Sequence, residues 1–203
     1  MPKPLIYLAS ASPRRRELLA QIGIAHEARP VAIDERIAPG ETPTNYVLRL
    51  AETKARTLWA QLRDGSGEPG RLPVLGADTT VALAGQVFGK PANGEELRDM
   101  LGRLGGHTHQ VHTAVALQCT QGLRLRLSTS QVTFRTLTAQ EIDAYWLTGE
   151  PADKAGGYAV QGRAAVFIAR IEGSYSGIVG LPLYETWELL APVLGLNSTG
   201  AAA

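Results

Sequence analysis

Cysteine is almost absent from this chain of 203 residues, which contains only Cys119. A single cysteine excludes an internal disulfide framework and a metal site built from several thiolates. Cys119 also lies within an apolar run, a setting that favours a buried thiol of the core over a reactive nucleophile. The chemistry of this protein therefore has to come from other side chains.

Long apolar runs and an excess of one charge are missing as well. No stretch reaches the roughly 20 apolar residues that a membrane-spanning helix needs, and arginines interrupt the N-terminal apolar segment before a signal-peptide core is complete. The net charge of +1 argues against a broad nucleic-acid-binding surface. We therefore expect a cytoplasmic protein with neither a membrane nor a nucleic acid as its partner.

The composition that is present is typical of a packed α/β protein. Hydrophobic residues make up 44% of the chain and charged residues 19%, as in folded domains with a normal core. The length suits one α/β domain or two small lobes. We assign residues 1–195 to a single domain and residues 196–203 to a disordered tail.

The N-terminal segment predicts a strand that leads directly into a helix. Leu5–Ala9 is mostly apolar and short, as in a buried strand, and Ser12 followed by Pro13 is typical of a helix start. Ser10, Ser12 and Arg14 then lie at a strand-to-helix turn. Helix N–H groups and a guanidinium can bind phosphate there; the alternative is a surface helix start with solvated arginines.

Acidic side chains occur at two places where a strand ends. Asp34 and Glu35 follow a weak strand predicted over 26–31, and they suit either a divalent cation or an ordinary solvated turn, the commoner setting for exposed carboxylates. Asp78 directly follows the apolar strand Val74–Ala77. Because a buried carboxylate is costly unless it is paired or bound to metal, a functional role is favoured for Asp78.

Two lysines have unusual surroundings. In a helix predicted over 42–62, Lys54 shares one face with Leu50 and Leu58, so its side chain either snorkels to water or points into a site. Lys90 lies between a glycine and a proline in a short turn, where it either meets phosphate or is solvated.

Three histidines, His107, His109 and His112, stand at the start of a strand predicted over 108–119. Side chains alternate between the two faces of a strand, so these three cannot converge on one ion from a regular strand. The spacing therefore disfavours a zinc site.

The remaining patterns alternate between helix and strand. Further helices are predicted over 93–104, 138–148 and 181–194; further strands over 123–134, 158–162 and 166–171; loops over 150–157 and 174–180. Neither a Walker motif nor a Gly-x-Ser-x-Gly motif is present, which argues against a P-loop NTPase and against a serine hydrolase with a nucleophile elbow.

Most chemically capable side chains fall at predicted strand ends and loops, where open α/β sheets bind ligands. These are Ser10, Ser12, Arg14, Glu35, Asp78, Lys90 and Gln161. Together they provide cations and N–H groups for phosphate, and carboxylates for a divalent cation and a water. This is the equipment of metal-assisted phosphoanhydride hydrolysis.

Five segments, in this order, resemble the Maf family of nucleoside triphosphate pyrophosphatases. They are Ser-Ala-Ser-Pro-Arg-Arg at 10–15, Gly-Ala-Asp-Thr at 76–79, Gly-Lys-Pro at 89–91, Asp-Lys-Ala-Gly-Gly-Tyr-Ala-Val-Gln-Gly at 153–162, and the stretch 175–185 with its Gly-Leu-Pro-Leu-Tyr-Glu. The similarity runs from about Leu5 to Leu190. It implies a Maf/ITPase-like α/β fold, with a mixed twisted sheet, flanking helices and two lobes around a central cleft, and a homodimer.

The resemblance also implies an activity and a set of site residues. The activity is hydrolysis of a nucleoside triphosphate to the monophosphate and pyrophosphate with a divalent cation, Mg²⁺ or alternatively Mn²⁺. Asp78 is implied as proton acceptor, and Glu35 with Asp78 as metal ligands. The implied substrate-binding and specificity residues are Ser10, Arg14, Lys54, Thr79, Lys90 and Gln161.

Within that family, the branch that this chain resembles prefers dTTP and UTP. The resemblance also implies a role in clearing modified nucleotides and a link to cell-division arrest. The positions that discriminate between branches map to Arg14, Thr79 and Gln161. The Gln161 amide can both donate to and accept from the O4/N3 edge of uracil or thymine. The alternatives are a 7-methyl-GTP pyrophosphatase of the same family, a nucleotide-binding regulator of septation that needs no turnover, and a phosphatase that removes the γ-phosphate.

Overall fold

Seven strands form one mixed sheet with helices on both faces in the computed structural model, which describes residues 5–63 and 72–196. The strands are β1 (Ile6–Leu8), β2 (His26–Ala28), β3 (Val74–Leu83), β4 (Gln86–Phe88), β5 (Thr108–Cys119), β6 (Gly122–Phe134) and β7 (Ile168–Glu172). The helices are α1 (Pro13–Gln21), α2 (Pro43–Arg63), α3 (Gly94–Leu104), α4 (Ala139–Trp146), α5 (Tyr175–Val179) and α6 (Leu183–Leu194). The prediction of a mixed α/β fold is confirmed.

The strand order is β2-β1-β3-β5-β6-β7, and β4 pairs with the far end of β3. Strand β1 pairs in parallel with β2 and with β3, whereas the β3–β5, β5–β6 and β6–β7 pairs are antiparallel. The three long strands β3, β5 and β6 therefore form the antiparallel centre of the sheet. The short strands and the helices cover them only in part.

Alternation along β3 divides the core between the two faces of the sheet. Val74 packs with α2, on which Ala51 and Ala55 are fully buried, whereas Leu75 and Ala77 face the opposite way toward α1 and α6. A further cluster begins at Val81 and contains residues of α3 and α4. We call the half of the sheet that carries α1, α2 and α6 the first lobe, and the half that carries α3 and α4 the second lobe.

One edge of β3 is left open between the lobes. Strand β1 pairs with β3 only at Val74 and Leu75, and β4 pairs with β3 only from Val81 to Leu83. Within the described part of the chain, the intervening residues 76–80 therefore have a strand partner only on their β5 side. The polar residues of β3 lie in this opening.

Helix starts largely follow the sequence-based predictions. Asn93 caps α3 through its side chain, which accepts a hydrogen bond from the Glu96 N–H. Thr138 and Glu141 form the complete capping box that opens α4. These local patterns place both helices of the second lobe correctly.

Two local predictions are wrong. Residues 158–162 form an irregular turn instead of a strand, because Gly156 and Gly157 have φ values of +68° and +71°, which redirect the chain before it can join the sheet. Residues 174–180, predicted as a loop, contain α5, whose N-cap Ser174 accepts a hydrogen bond from the Gly177 N–H. The predicted strand 166–171 begins as a 3₁₀ turn and becomes β7 only at Ile168.

The C-terminal prediction falls mainly outside the described residues. Leu196 is partly buried against the first lobe, and residues 197–203 lie beyond the described range. Within 5–63 and 72–196, no helix combines the length and the apolarity needed to cross a membrane.

Candidate functional site

A cleft of about 600 Å³ lies at the opening beside β3, a size typical of small-molecule sites. All of the site residues predicted from the sequence line it: Ser10, Arg14, Glu35, Lys54, Asp78, Thr79, Lys90 and Gln161. Five cationic and three acidic side chains contribute to its wall. The fold thus brings together groups that are far apart in the chain.

Lys54 lies between two carboxylates at the centre of this cleft. Its Nζ is 2.6 Å from Asp78 Oδ1 and 2.7 Å from Glu35 Oε1. Lys54 is 9% exposed and Asp78 is 8% exposed, so the snorkelling alternative for Lys54 is wrong. Partial burial opposes ionisation of Glu35, but the hydrogen bond and the charge of Lys54 outweigh it, and the pKa of Glu35 is lowered.

The close approach of α2 to β3 makes this contact possible. Gly76 and Asp78 share the face of β3 that packs against α2. A Cβ on Gly76 would lie 2.3 Å from the Ala51 carbonyl oxygen and 2.7 Å from the Ala55 nitrogen, so only glycine allows the helix to lie this close. Lys54 therefore extends directly onto Asp78, one turn along α2 from the contact with Ala51.

The two acidic residues before α2 have different roles. Asp34 forms a salt bridge with Arg36 at 2.6 Å on the outer surface, whereas Glu35 reaches Lys54. The Tyr46 hydroxyl donates to the Glu35 backbone carbonyl at 2.9 Å and fixes the loop to α2. The solvated-turn reading holds for Asp34 but not for Glu35.

Arg15, which the sequence reasoning missed, is a further cation of the cleft and is held in place by hydrogen bonds. Its guanidinium donates to the Gly180 carbonyl at 2.8 Å, to Ser10 Oγ at 3.1 Å and to Thr79 Oγ1 at 3.2 Å. Burial lowers the pKa of Arg15, with the charge of Asp78 acting against that shift. All three acceptors are neutral, so the guanidinium can still meet an anion. The run Arg14-Arg15-Arg16 in the sequence was the available clue, but it does not tell which arginine faces inward.

Arg14 also lines the cleft, where it pairs with Asp153. Its Nη1 is 3.6 Å from Asp153 Oδ2, and Asp153 also pairs with Lys154. Lys154, a second cation that the sequence reasoning did not select, lines the cleft as well. Lys90 lies in the neighbouring turn, where the Gly89 carbonyl accepts a hydrogen bond from the Gly156 N–H at 2.8 Å.

The strand-to-helix turn differs in one detail from the prediction. Ser12 occupies the N-cap position of α1, but its side chain makes no capping hydrogen bond. Its N–H donates to Ser10 Oγ at 3.2 Å, so Ser10 organises the turn. The first N–H groups of α1 thus have no side-chain cap from Ser12, as suits a helix start that binds an anion.

The histidines occupy separate environments. His109 Nε2 shares a hydrogen bond with the Tyr158 hydroxyl at 2.8 Å, and His112 Nδ1 shares one with Thr129 Oγ1 at 2.9 Å. Among the described residues, no group of three or more histidine, cysteine or acidic side chains could hold a metal ion. The carboxylates of Glu35 and Asp78 converge within 2.7 Å of one atom, Lys54 Nζ, and they are the donor type that fits a divalent cation with substrate phosphates and water completing the shell.

Comparison with known proteins matches this chain over both lobes. The family model described as Maf-like protein matches residues 5–193. A dTTP/UTP pyrophosphatase of Nitrosomonas europaea is 52% identical over 193 residues, covering 91% of this chain and 92% of that protein. One of Alkalilimnicola ehrlichii is 52% identical over 190 residues, covering 93% and 92%, and one of Escherichia coli O157:H7 is 50% identical over 186 residues, covering 92% and 91%.

Proposed function

The chain belongs to the Maf family, and on that premise we propose that it hydrolyses dTTP and UTP to the nucleoside monophosphate and pyrophosphate. The observation that carries this proposal is the contact of Lys54 with both Asp78 and Glu35 inside a cleft rich in cations. Relatives that share about half of their residues with this chain are named dTTP/UTP pyrophosphatase.

The cations suit the substrate's triphosphate. Arg15 is held at the start of α1, Lys54 lies between the two carboxylates, and Lys90 lines the cleft from the turn after β4. Guanidinium and ammonium groups bind phosphate oxygens and stabilise the charge that develops on a leaving phosphate. We assign the triphosphate to this part of the cleft, which Arg14 also lines.

The chemical step follows from the position of Asp78. Its carboxylate accepts a proton from a water whose oxygen attacks the α-phosphorus. As the new P–O bond forms, the bond from the α-phosphorus to the bridging oxygen breaks, and pyrophosphate leaves with that oxygen. Lys54 orients Asp78 through the 2.6 Å contact. Glu35 and Asp78 would hold the divalent cation, Mg²⁺ or alternatively Mn²⁺, which when bound supplies neutralisation of phosphate charge.

The proposal extends to a single two-lobed domain over 1–195 that acts as a cytoplasmic homodimer on free nucleotides. The net charge of +1 supports a small-molecule substrate over a nucleic acid.

Pyrophosphate release from a panel of nucleotides tests the proposed reaction. With Mg²⁺, we expect pyrophosphate from UTP and dTTP, much less from CTP and GTP, and none when the cation is chelated. Release from 7-methyl-GTP alone would assign the chain to the other branch of the family. Orthophosphate in place of pyrophosphate would indicate removal of the γ-phosphate, and no release from any nucleotide would favour a regulator without turnover.

Base selection provides a separate prediction for Gln161, whose exposed side chain lines the cleft. We expect Gln161→Ala to lower kcat/KM for UTP and dTTP by about 10- to 100-fold, since a two-point hydrogen-bond reading of a base is worth about 1 to 3 kcal/mol. Inhibition by pyrophosphate, which reports the phosphate side alone, is expected to stay unchanged. Gln140→Ala, on the exposed surface of α4, is the matched control. An equal loss for all nucleotides would exclude Gln161 from reading the base.

A further inference from the structure

Glu150 lies behind the cleft wall and binds the turn that carries Gln161. Its Oε2 accepts a hydrogen bond from the Arg163 N–H at 2.9 Å, and its Oε1 accepts one from the Ala164 N–H at 3.4 Å. Oε1 also accepts a hydrogen bond from the Tyr145 hydroxyl at 2.7 Å. Glu150 is not among the residues that line the cleft, so the proposed reaction gives it no role.

The Tyr145 hydroxyl forms a hydrogen bond with the other end of the same turn. While it donates to Glu150, it accepts a hydrogen bond from the Ala159 N–H at 3.4 Å. Within the turn, the Gly162 N–H donates to the Ala159 carbonyl at 3.0 Å. One carboxylate and one phenol thus hold the backbone on both sides of Gln161.

The carboxylate also packs directly against the turn. A Cβ added to Gly162 would lie 2.4 Å from the carboxylate carbon and from both oxygens of Glu150. Gly162 is therefore the residue that lets the carboxylate approach the backbone. The carboxylate of Glu150 thus lies directly against the residue next to Gln161.

The charge of Glu150 is stabilised for this role. Partial burial raises its pKa, but the Arg163 N–H, the Tyr145 hydroxyl and the Ala164 N–H outweigh burial, and the pKa of Glu150 is lowered overall. Charge-assisted hydrogen bonds of this kind are about twice as strong as neutral ones. The anion is therefore the form that fixes the turn.

The side chain of Gln161 itself depends on its backbone for position. It is exposed at the cleft, and its amide makes no hydrogen bond to any other side chain or backbone group of the described ranges. To form hydrogen bonds with two atoms of a base, the carbonyl and the N–H₂ group of this amide must both be placed accurately. That accuracy has to come from the turn.

We infer that Glu150 is a positioning residue for base selection, acting with Tyr145 to hold the turn that presents Gln161 to the pyrimidine. The inference rests on the proposed function and deepens it. It separates the residue that contacts the base from the residue that fixes its position. Arg15, Lys54 and Lys90, to which the triphosphate is assigned, lie outside the turn that Glu150 holds, so Glu150 should affect the choice of base and leave phosphate binding intact.

The test measures selectivity, defined as kcat/KM for UTP divided by kcat/KM for CTP. Glu150→Gln keeps the size of the side chain but places an amide N–H₂ where N–H and O–H donors converge. We expect selectivity to fall by about five- to tenfold, as for the loss of one charge-assisted hydrogen bond, mainly through a higher KM for UTP. Inhibition by pyrophosphate should be unchanged. Tyr145→Phe, which removes only the hydroxyl, should lower selectivity in the same direction and serves if Glu150→Gln does not fold.

Glu141→Gln is the matched control. Glu141 caps α4, the helix that carries Tyr145, and pairs with Arg135 away from the cleft. The substitution should lower thermal stability without changing selectivity. The inference is overturned if Glu150→Gln and Tyr145→Phe leave selectivity unchanged while Gln161→Ala lowers it, and the proposed function then stands. It is also overturned if Glu141→Gln lowers selectivity equally, since the effect is then one of general stability. Unchanged selectivity in Gln161→Ala removes the base-reading role and the inference with it.

Discussion

Asp78→Asn is expected to lower kcat for UTP by about 100- to 10,000-fold, the range that general base catalysis contributes. The amide has the same shape as the carboxylate but cannot take a proton from the attacking water at neutral pH. Lys54 retains Glu35 as its anionic partner at 2.7 Å, so the centre of the cleft keeps one ion pair. Pyrophosphate release by the purified variant at saturating UTP and Mg²⁺ measures the effect.

Asp34→Asn is the control for this substitution. It removes the same charge by the same chemical change, but Asp34 pairs with Arg36 at the exterior and does not line the cleft. We expect its kcat to stay within about twofold of the wild type, because a solvent-screened ion pair on the outer surface contributes little and does not reach the cleft. Turnover in Asp78→Asn that is as high as in Asp34→Asn would show that Asp78 is not the proton acceptor.

The position of Lys54 shows what a sequence pattern can and cannot establish. The spacing of Leu50, Lys54 and Leu58 correctly places all three on one buried face of α2. It does not tell whether the lysine reaches water or a carboxylate, because that depends on Asp78 in a strand 24 residues away. Resemblance to a family implied only that Lys54 lines the site, and the structure shows its contact with the carboxylate.

The local sequence does not tell whether Arg14 or Arg15 forms the hydrogen bonds inside the cleft. Consecutive helical residues point about 100° apart, so Arg14 and Arg15 extend in different directions and meet different partners. Which one faces inward is fixed by Gly180 and Thr79, the distant groups that accept hydrogen bonds from Arg15. Long-range acceptors of this kind leave no periodicity in the sequence.

The turn at 158–162 was mistaken for a strand for a similar reason. Its apolar residues Tyr158 and Val160 are buried, as a strand pattern requires. They pack among residues of the second lobe while Tyr145 and Glu150 satisfy the backbone from the side. Side-chain acceptors thus replace a neighbouring strand, and a hydrophobicity pattern cannot distinguish the two.

Gly76→Ala is expected to destabilise the fold by about 3 kcal/mol, near the upper end of the usual cost of overpacking a core. The added methyl group would lie 2.3 Å from the Ala51 carbonyl oxygen, which is backbone and cannot rotate away. Relief requires α2 to move off β3, and Lys54 moves with it. A loss of about 3 kcal/mol lowers the melting temperature by about 6–12 °C in a chain of this size.

The displacement of α2 should also lower kcat, because a shift of about 1 Å in a positioning group can lower turnover by about 100-fold. Measured well below its melting temperature, Gly76→Ala should therefore show reduced kcat although it is folded. Gly102→Ala is the matched control: Gly102 lies within α3, and a Cβ there meets nothing within 4 Å. It should stabilise the protein by about 0.5 to 1 kcal/mol without changing kcat. If Gly76→Ala melted at the temperature of the wild type, α2 would not be held against β3 as closely as the contact between Lys54 and Asp78 requires.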